Sequence, residues 1–183
     1  MNPKTILDEV YKMIETANYK MFNIWTTHIF LSWRWWLGVV LTILPWIVWI
    51  KIRDKKDTPR LFTVGLGVMV ITNVMDNVGL SYNLWHYDIN VSPASNIFIP
   101  WDYALIPVGI MLILQFKPEI NVYIKAVAFA FFTAFIFQPF LSWIGMYDMV
   151  NWKYWYSFII CILLYLFFNY IYNSKLLNVH SNT

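Results

Sequence analysis

Charge is scarce in this chain, and so are cysteine and glycine. Charged residues make up 13% of its 183 residues, against about 25% in an average soluble domain. The single cysteine, Cys161, excludes an intrachain disulfide and a cysteine-rich metal site. It lies deep in an apolar run with no basic neighbour to activate it, so it reads as a packing residue. The six glycines are scattered and build no phosphate-binding loop. There is no nucleophile elbow and no pair of histidines on one helix face. The sequence therefore implies no cofactor. The polar first 20 residues lack the apolar stretch and cleavage site of a removable leader. The first membrane segment is expected to serve as an uncleaved insertion signal.

What the chain has instead is hydrophobic length. It is 60% hydrophobic and 20% aromatic. About 20 apolar residues are needed to cross the hydrocarbon core as a helix. Five stretches meet that need: Trp33 to Ile52, Leu61 to Leu80, Ile99 to Phe116, Tyr123 to Met146 and Trp152 to Tyr172. The expected fold is an all-α polytopic membrane bundle of five helices. Ahead of it, Ile6, Leu7, Val10, Ile14, Ala17 and Met21 recur at helical spacing, with Asp8, Lys12, Glu15 and Thr16 opposite. That pattern predicts an amphipathic helix on the membrane surface or on a neighbouring subunit. Phe22 to Ser32 is apolar but too short to span, so it is expected to be interfacial or re-entrant. The chain thus divides into an N-terminal segment (1–32), a transmembrane domain (33–172) and a tail (173–183).

The net charge of +3 does not mark a nucleic-acid binder, because the basic residues flank apolar segments. Lys51, Arg53, Lys55, Lys56, Arg60, Lys117, Lys125 and Lys175 fall on one side of a five-span chain. Lys4, Lys12, Lys20, Arg34 and Lys153 fall on the other. The excess of positive charge on the first side places it in the cytoplasm, with the N-terminus outside. Trp33, Trp35 and Trp36 at one end of the first span, and Trp152, Tyr154, Trp155 and Tyr156 at the start of the fifth, then form a belt at the outer interface.

Packing signals are also present. Ala126, Ala130 and Ala134 form a row of small residues that admits another helix, from this chain or from a partner copy. Gly65 and Gly67 do the same in the second span. Pro45, Pro107 and Pro139 lie inside spans and should kink them, with neighbouring helices satisfying the freed carbonyls. No internal repeat supports a transporter built from inverted halves.

Polar residues inside the spans carry the functional information, since an ionisable group there costs on the order of 3 kcal/mol. Asn73, Asp76 and Asn77 follow the spacing i, i+3, i+4 and are expected on one face of the second span. Asp76 and Gln138 both lie about 22 Å from the cytoplasmic ends of their helices at 1.5 Å per residue. Asp102 opens the third span, and the connection before it supplies Trp85, His86, Tyr87 and Asp88. All are expected to meet in the outer third of the bundle. Two readings stay open. In one, Asp76 and the amides only tie helices together. In the other they line a small cavity, with Asp76 as acid or base. Asp102 equally suits a helix cap. His86, Asp88 and Asp102 match no established metal-ligand spacing. Asn90-Val91-Ser92 fits a glycosylation acceptor.

Met75 to Asp88 (MDNVGLSYNLWHYD) and Ile99 to Phe116 (IPWDYALIPVGIMLILQF) together resemble an uncharacterised family of small five-span membrane proteins of spore-forming Gram-positive bacteria. The resemblance rests on Asp76, Gly79, Leu84-Trp85, Tyr87, Pro100-Trp101-Asp102, Pro107 and Gln115. It implies a bacterial cell-membrane protein and carries no activity across. The acidic signatures of membrane lycopene cyclases and of sterol-isomerase-like bundles are not evident.

The leading expectation is a site for an amphiphilic, lipid-like molecule in the outer half of the bundle. Asp76 would anchor it, Asn73, Asn77 and Gln138 would orient it, and Trp85, Tyr87 and Trp101 would wall it. The alternatives are a non-catalytic assembly or signalling subunit, joined through Ala126, Ala130 and Ala134, and an oligomeric ion or solute conduit.

Overall fold

The structure, a computed structural model, describes residues 2–174. Helix α1 (Pro3–Ile24) begins where its sequence lets it begin. The Asn2 side chain accepts from the Lys4 amide, and Pro3 occupies a first-turn position that needs no N–H. A π-turn, Trp25–Ile29, follows, and the chain reverses through Leu31 at φ 62°. No residue of α1 is buried, so this amphipathic helix stands off the rest of the chain.

The remaining helices form the expected all-α bundle. Four are long and apolar enough to cross a membrane: α2 (Trp33–Ile52), α3 (Thr58–Ser81), a composite rod (Val122–Trp143) and α7 (Tyr154–Asn173). The rod consists of α5 (Val122–Phe131), a π-turn (Phe132–Phe137) and α6 (Gln138–Trp143). The fifth expected span is shorter than its apolar run. It comprises a five-residue π-turn, Trp101–Leu105, and the ten residues of α4 (Ile106–Gln115). At 1.5 Å per residue that is about 22 Å, short of a hydrocarbon core of about 30 Å. The apolar residues just before it, Ile97 and Phe98, are buried in the connection rather than wound into the helix. The tail expected from residue 173 lies outside the described residues apart from Asn173 and Ser174.

Two of the expected kinks take the form of π-turns. Each precedes a proline near the start of the next helix, Pro107 in α4 and Pro139 in α6. A proline cannot donate to the carbonyl four residues back and crowds it. Widening the preceding turn relieves that crowding. For Pro107 the freed carbonyl belongs to Tyr103, and the Trp46 indole of α2 donates to it at 2.8 Å.

The core forms where small residues permit close approach. A Cβ on Gly65 would meet the Met111 sulfur of α4 at 2.6 Å, and one on Gly67 would meet the Phe168 ring of α7 at 2.8 Å. The alanine row is used inside the chain. Ala126, Ala130 and Ala134 are all fully buried, and α5 runs along α7 with Phe129 and Tyr165 in ring contact. Of the two uses expected of the row, the described residues display the one within the chain.

A two-stranded antiparallel pairing closes one end of the bundle. Strand β1 (Trp85–His86) pairs with β2 (Asp148–Met149), Trp85 opposite Met149 and His86 opposite Asp148. The Leu84 carbonyl accepts from the amides of Val150 and Asn151, which ties the connection after α3 to the one before α7. This is the hairpin end. The opposite, basic end carries Lys51 to Arg60, Lys117 and Lys125.

Candidate functional site

The site begins with the phase of α3. Its buried face runs Leu61, Val64, Gly65, Val68, Thr72, Asp76 and Gly79. Asp76 therefore points the same way as the core residues one and two turns earlier. Its carboxylate is saturated with donors. Oδ1 accepts from Trp85 Nε1 and Tyr87 Oη, both at 2.7 Å, and Oδ2 accepts from the Phe98 amide at 3.3 Å. Three donors on one carboxylate offset much of the cost of burying it.

Gly79 makes this possible. The Trp85 indole lies directly on its Cα, in the space any Cβ would fill. Trp85 reaches back over α3 because β1 folds over the helix end. Tyr87, two residues further on, stacks on Phe98 at 5.0 Å and meets Tyr147 at 5.6 Å. Burial first, and then the carboxylates of Asp76 and Asp102, hold the Tyr87 phenol well above its ordinary range. The Tyr147 phenol is pushed up chiefly by burial. Both phenols stay protonated, and Tyr87 stays a donor to Asp76.

Asp102 is the second carboxyl. It is 1% exposed, sits in the π-turn before α4, and shares a hollow with Asp76. Two carboxylates buried around one hollow repel each other. Thr72 donates to the Asp102 backbone carbonyl at 3.4 Å, which fixes the π-turn against α3. The Asp102 Oδ2 atom is buried and has no partner among the described residues. Gln138, at the start of α6, presents an equally orphaned Oε1.

These groups surround a hollow of about 80 Å³. Of the residues singled out in the sequence, Asp76, Asp102, Gln138, Trp85, Tyr87 and Trp101 border it. Thr72, Tyr147, Trp152 and Ser157 also border it, and sequence reasoning missed all four. Trp152 donates to Ser157 at 2.9 Å and packs edge-on against Trp85 at 5.0 Å. Cys161 forms part of the wall as well as of the core.

Three expected members stand elsewhere. Asn73 donates to the Tyr103 hydroxyl at 2.9 Å, on the flank of α3. Asn77 is exposed and donates to the Asn73 carbonyl at 2.8 Å. Neither borders the hollow, because Thr72 rather than Asn73 shares the phase of Asp76. His86 faces outward, 3.5 Å from Asp88 and 3.4 Å from Asp148. Among the described residues no group of histidine, cysteine and carboxylate side chains is arranged to hold a metal ion. Asn90 is buried and donates to the Ser95 carbonyl, so its amide is not presented to a glycosylating enzyme.

No protein-family model, curated protein or solved structure matches this chain.

Proposed function

We propose that this chain is a multi-pass membrane protein that holds the polar head of an amphiphilic, lipid-like molecule at its hairpin end. The observation that supports this most directly is the pair of orphaned acceptors, Asp102 Oδ2 and Gln138 Oε1, beside one hollow. A buried acceptor left without a donor costs about 1–3 kcal/mol. A guest that brings donors recovers that cost. The hollow holds a few waters or one small head group, not a whole lipid. Asp76, already given three donors, anchors the walls. Asp102 is the carboxyl left free to accept from the guest. With the basic end in the cytoplasm, the hollow lies toward the outer leaflet and the N-terminus lies outside.

The test is mass spectrometry of small molecules that co-purify in mild detergent, comparing the native chain with Asp102→Asn and with Asn77→Ala. One amphiphile should follow the native chain and Asn77→Ala and be lost from Asp102→Asn. Identical bulk lipid in all three would overturn the reading.

A second reading, a non-catalytic assembly subunit, is favoured by α1. Its apolar residues Ile6, Val10 and Ile14 are exposed, and no residue of the helix is buried. A stoichiometric protein partner lost on Ile14→Glu would move that reading to first place.

A further inference from the structure

We infer that the guest is a donor-headed amphiphile, an ammonium-bearing one in preference to an anionic one, whose tail leaves the hollow along a groove between α4 and the α5–α6 rod. This rests on the amphiphile reading above and goes on to name the head group and the path of the tail.

The groove is a second hollow of about 230 Å³. Leu105, Gly109 and Ile113 form one wall, and Phe129, Phe132 and Phe137 form the other. Trp101 and Ile106 border both hollows, so the polar chamber and the apolar groove meet at one shared wall. The sequence explains why space remains here. Gly109 has no side chain, and a Cβ there would only just touch the Phe129 ring, at 3.4 Å. On the opposite wall the rod is a π-turn over Phe132–Phe137, which spreads its side chains. From Trp101 to Ile113 the groove follows about 18 Å of helix at 1.5 Å per residue, the scale of a long alkyl chain. Its flank opens on the lipid-facing surface, where the Phe132 ring is half exposed. A tail can therefore enter sideways from the bilayer without crossing the hairpin.

The head-group chemistry follows from what the chamber offers. Its two fully buried atoms without a partner among the described residues, Asp102 Oδ2 and Gln138 Oε1, are acceptors. No lysine or arginine borders either hollow. An anionic head would meet Asp76 and Asp102 with no compensating charge, a strongly unfavourable burial. An ammonium gives up to three hydrogen bonds and a positive charge to the same pair of carboxyls.

The experiment uses the full-length protein in a neutral detergent and native mass spectrometry with three probes of one tail length: tetradecylamine, tetradecanol and tetradecanoate. The native chain should take up one amine, bound about tenfold more tightly than the acid. Asp102→Asn should erase most of that preference. Gly109→Leu, which fills the groove without touching the carboxyls, should weaken the amine about tenfold. Thr133→Leu narrows the groove from the other wall and repeats the test should Gly109→Leu fold poorly. Equal binding of acid and amine would overturn the head-group assignment. Native-like binding by both groove variants would overturn the tail path. If none of the three probes binds, the amphiphile reading itself falls.

Discussion

The two ends of this bundle handle polar groups in opposite ways. At the basic end, charges pair with partners near water. Arg60 donates to the Tyr172 carbonyl and stacks on the Tyr172 ring at 4.2 Å, and the Tyr172 hydroxyl donates to Asp57. Lys125 donates to the carbonyls of Ile113 and Phe116 at 3.0 and 2.6 Å, capping the C-terminal end of α4. Gln115 bridges toward Ile52 and Asp54. At the hairpin end, two carboxyls are buried together, one saturated and one with an oxygen left over. The first arrangement fastens helices. The second keeps a group in an unfavourable state that fastening does not require, and that difference is the ground on which the site is proposed there.

The comparison is sharpest between the two carboxyls themselves. Asp76→Leu strands the Trp85 indole, the Tyr87 hydroxyl and the Phe98 amide without an acceptor. A loss of about 3–5 kcal/mol is expected, read as a large drop in unfolding temperature in detergent. Asp102→Asn should cost less than about 1 kcal/mol and can raise stability, because it removes like-charge repulsion and strands no donor among the described residues. If both variants lose stability equally, Asp102 is a structural residue and the proposed site disappears.

Next in size is Gly79→Ala. The Trp85 ring must move to admit the methyl group, and the Trp85–Asp76 hydrogen bond moves with it. Overpacking of this kind costs about 1–3 kcal/mol. Hydrogen exchange should rise at the backbone amides of Trp85 and Met149 before it rises in α3. At the basic end, Arg60→Ala removes a partly exposed pairing and should cost about 1 kcal/mol or less. A loss larger than that of Gly79→Ala would reverse the ranking of the two ends.

How much of this was legible in the sequence depends on the length scale of the signal. Apolar runs of 20 residues announce themselves, and the all-α bundle follows. Single polar residues in such runs, Asp76 and Gln138, are conspicuous for the same reason, and both border the hollow. Finer geometry was not legible. The pattern of amides grouped Asn73 and Asn77 with Asp76, but helix spacing alone also allows Thr72, one turn back. Packing chose Thr72, because Leu61, Val68 and Thr72 share the buried phase. Tyr147 and Trp152 arrive from a connection about 70 residues away in sequence from α3, through strands of two residues each, too short to leave a periodic pattern, and Ser157 follows in the first turn of α7. Pro107 and Pro139 signalled disturbed helices, but whether a helix kinks or widens into a π-turn is decided by neighbours such as Trp46.

The smallest expected effect is the most informative about that misread face. Asn77→Leu replaces an exposed amide that donates only to Asn73. Side-chain hydrogen bonds of this kind in membrane helices are worth about 0.6 kcal/mol on average. The variant should unfold within about 1 kcal/mol of the native chain and should capture the same small molecule. The reasoning is that Asn77 and Asp76 are neighbours in sequence but point to different surroundings, one outward and one into the hollow. Should Asn77→Leu instead abolish capture while Asp102→Asn preserves it, the guest would bind on the outward flank of α3. The hollow at the hairpin end would then be a packing defect, and the contrast between the two ends would concern stability alone.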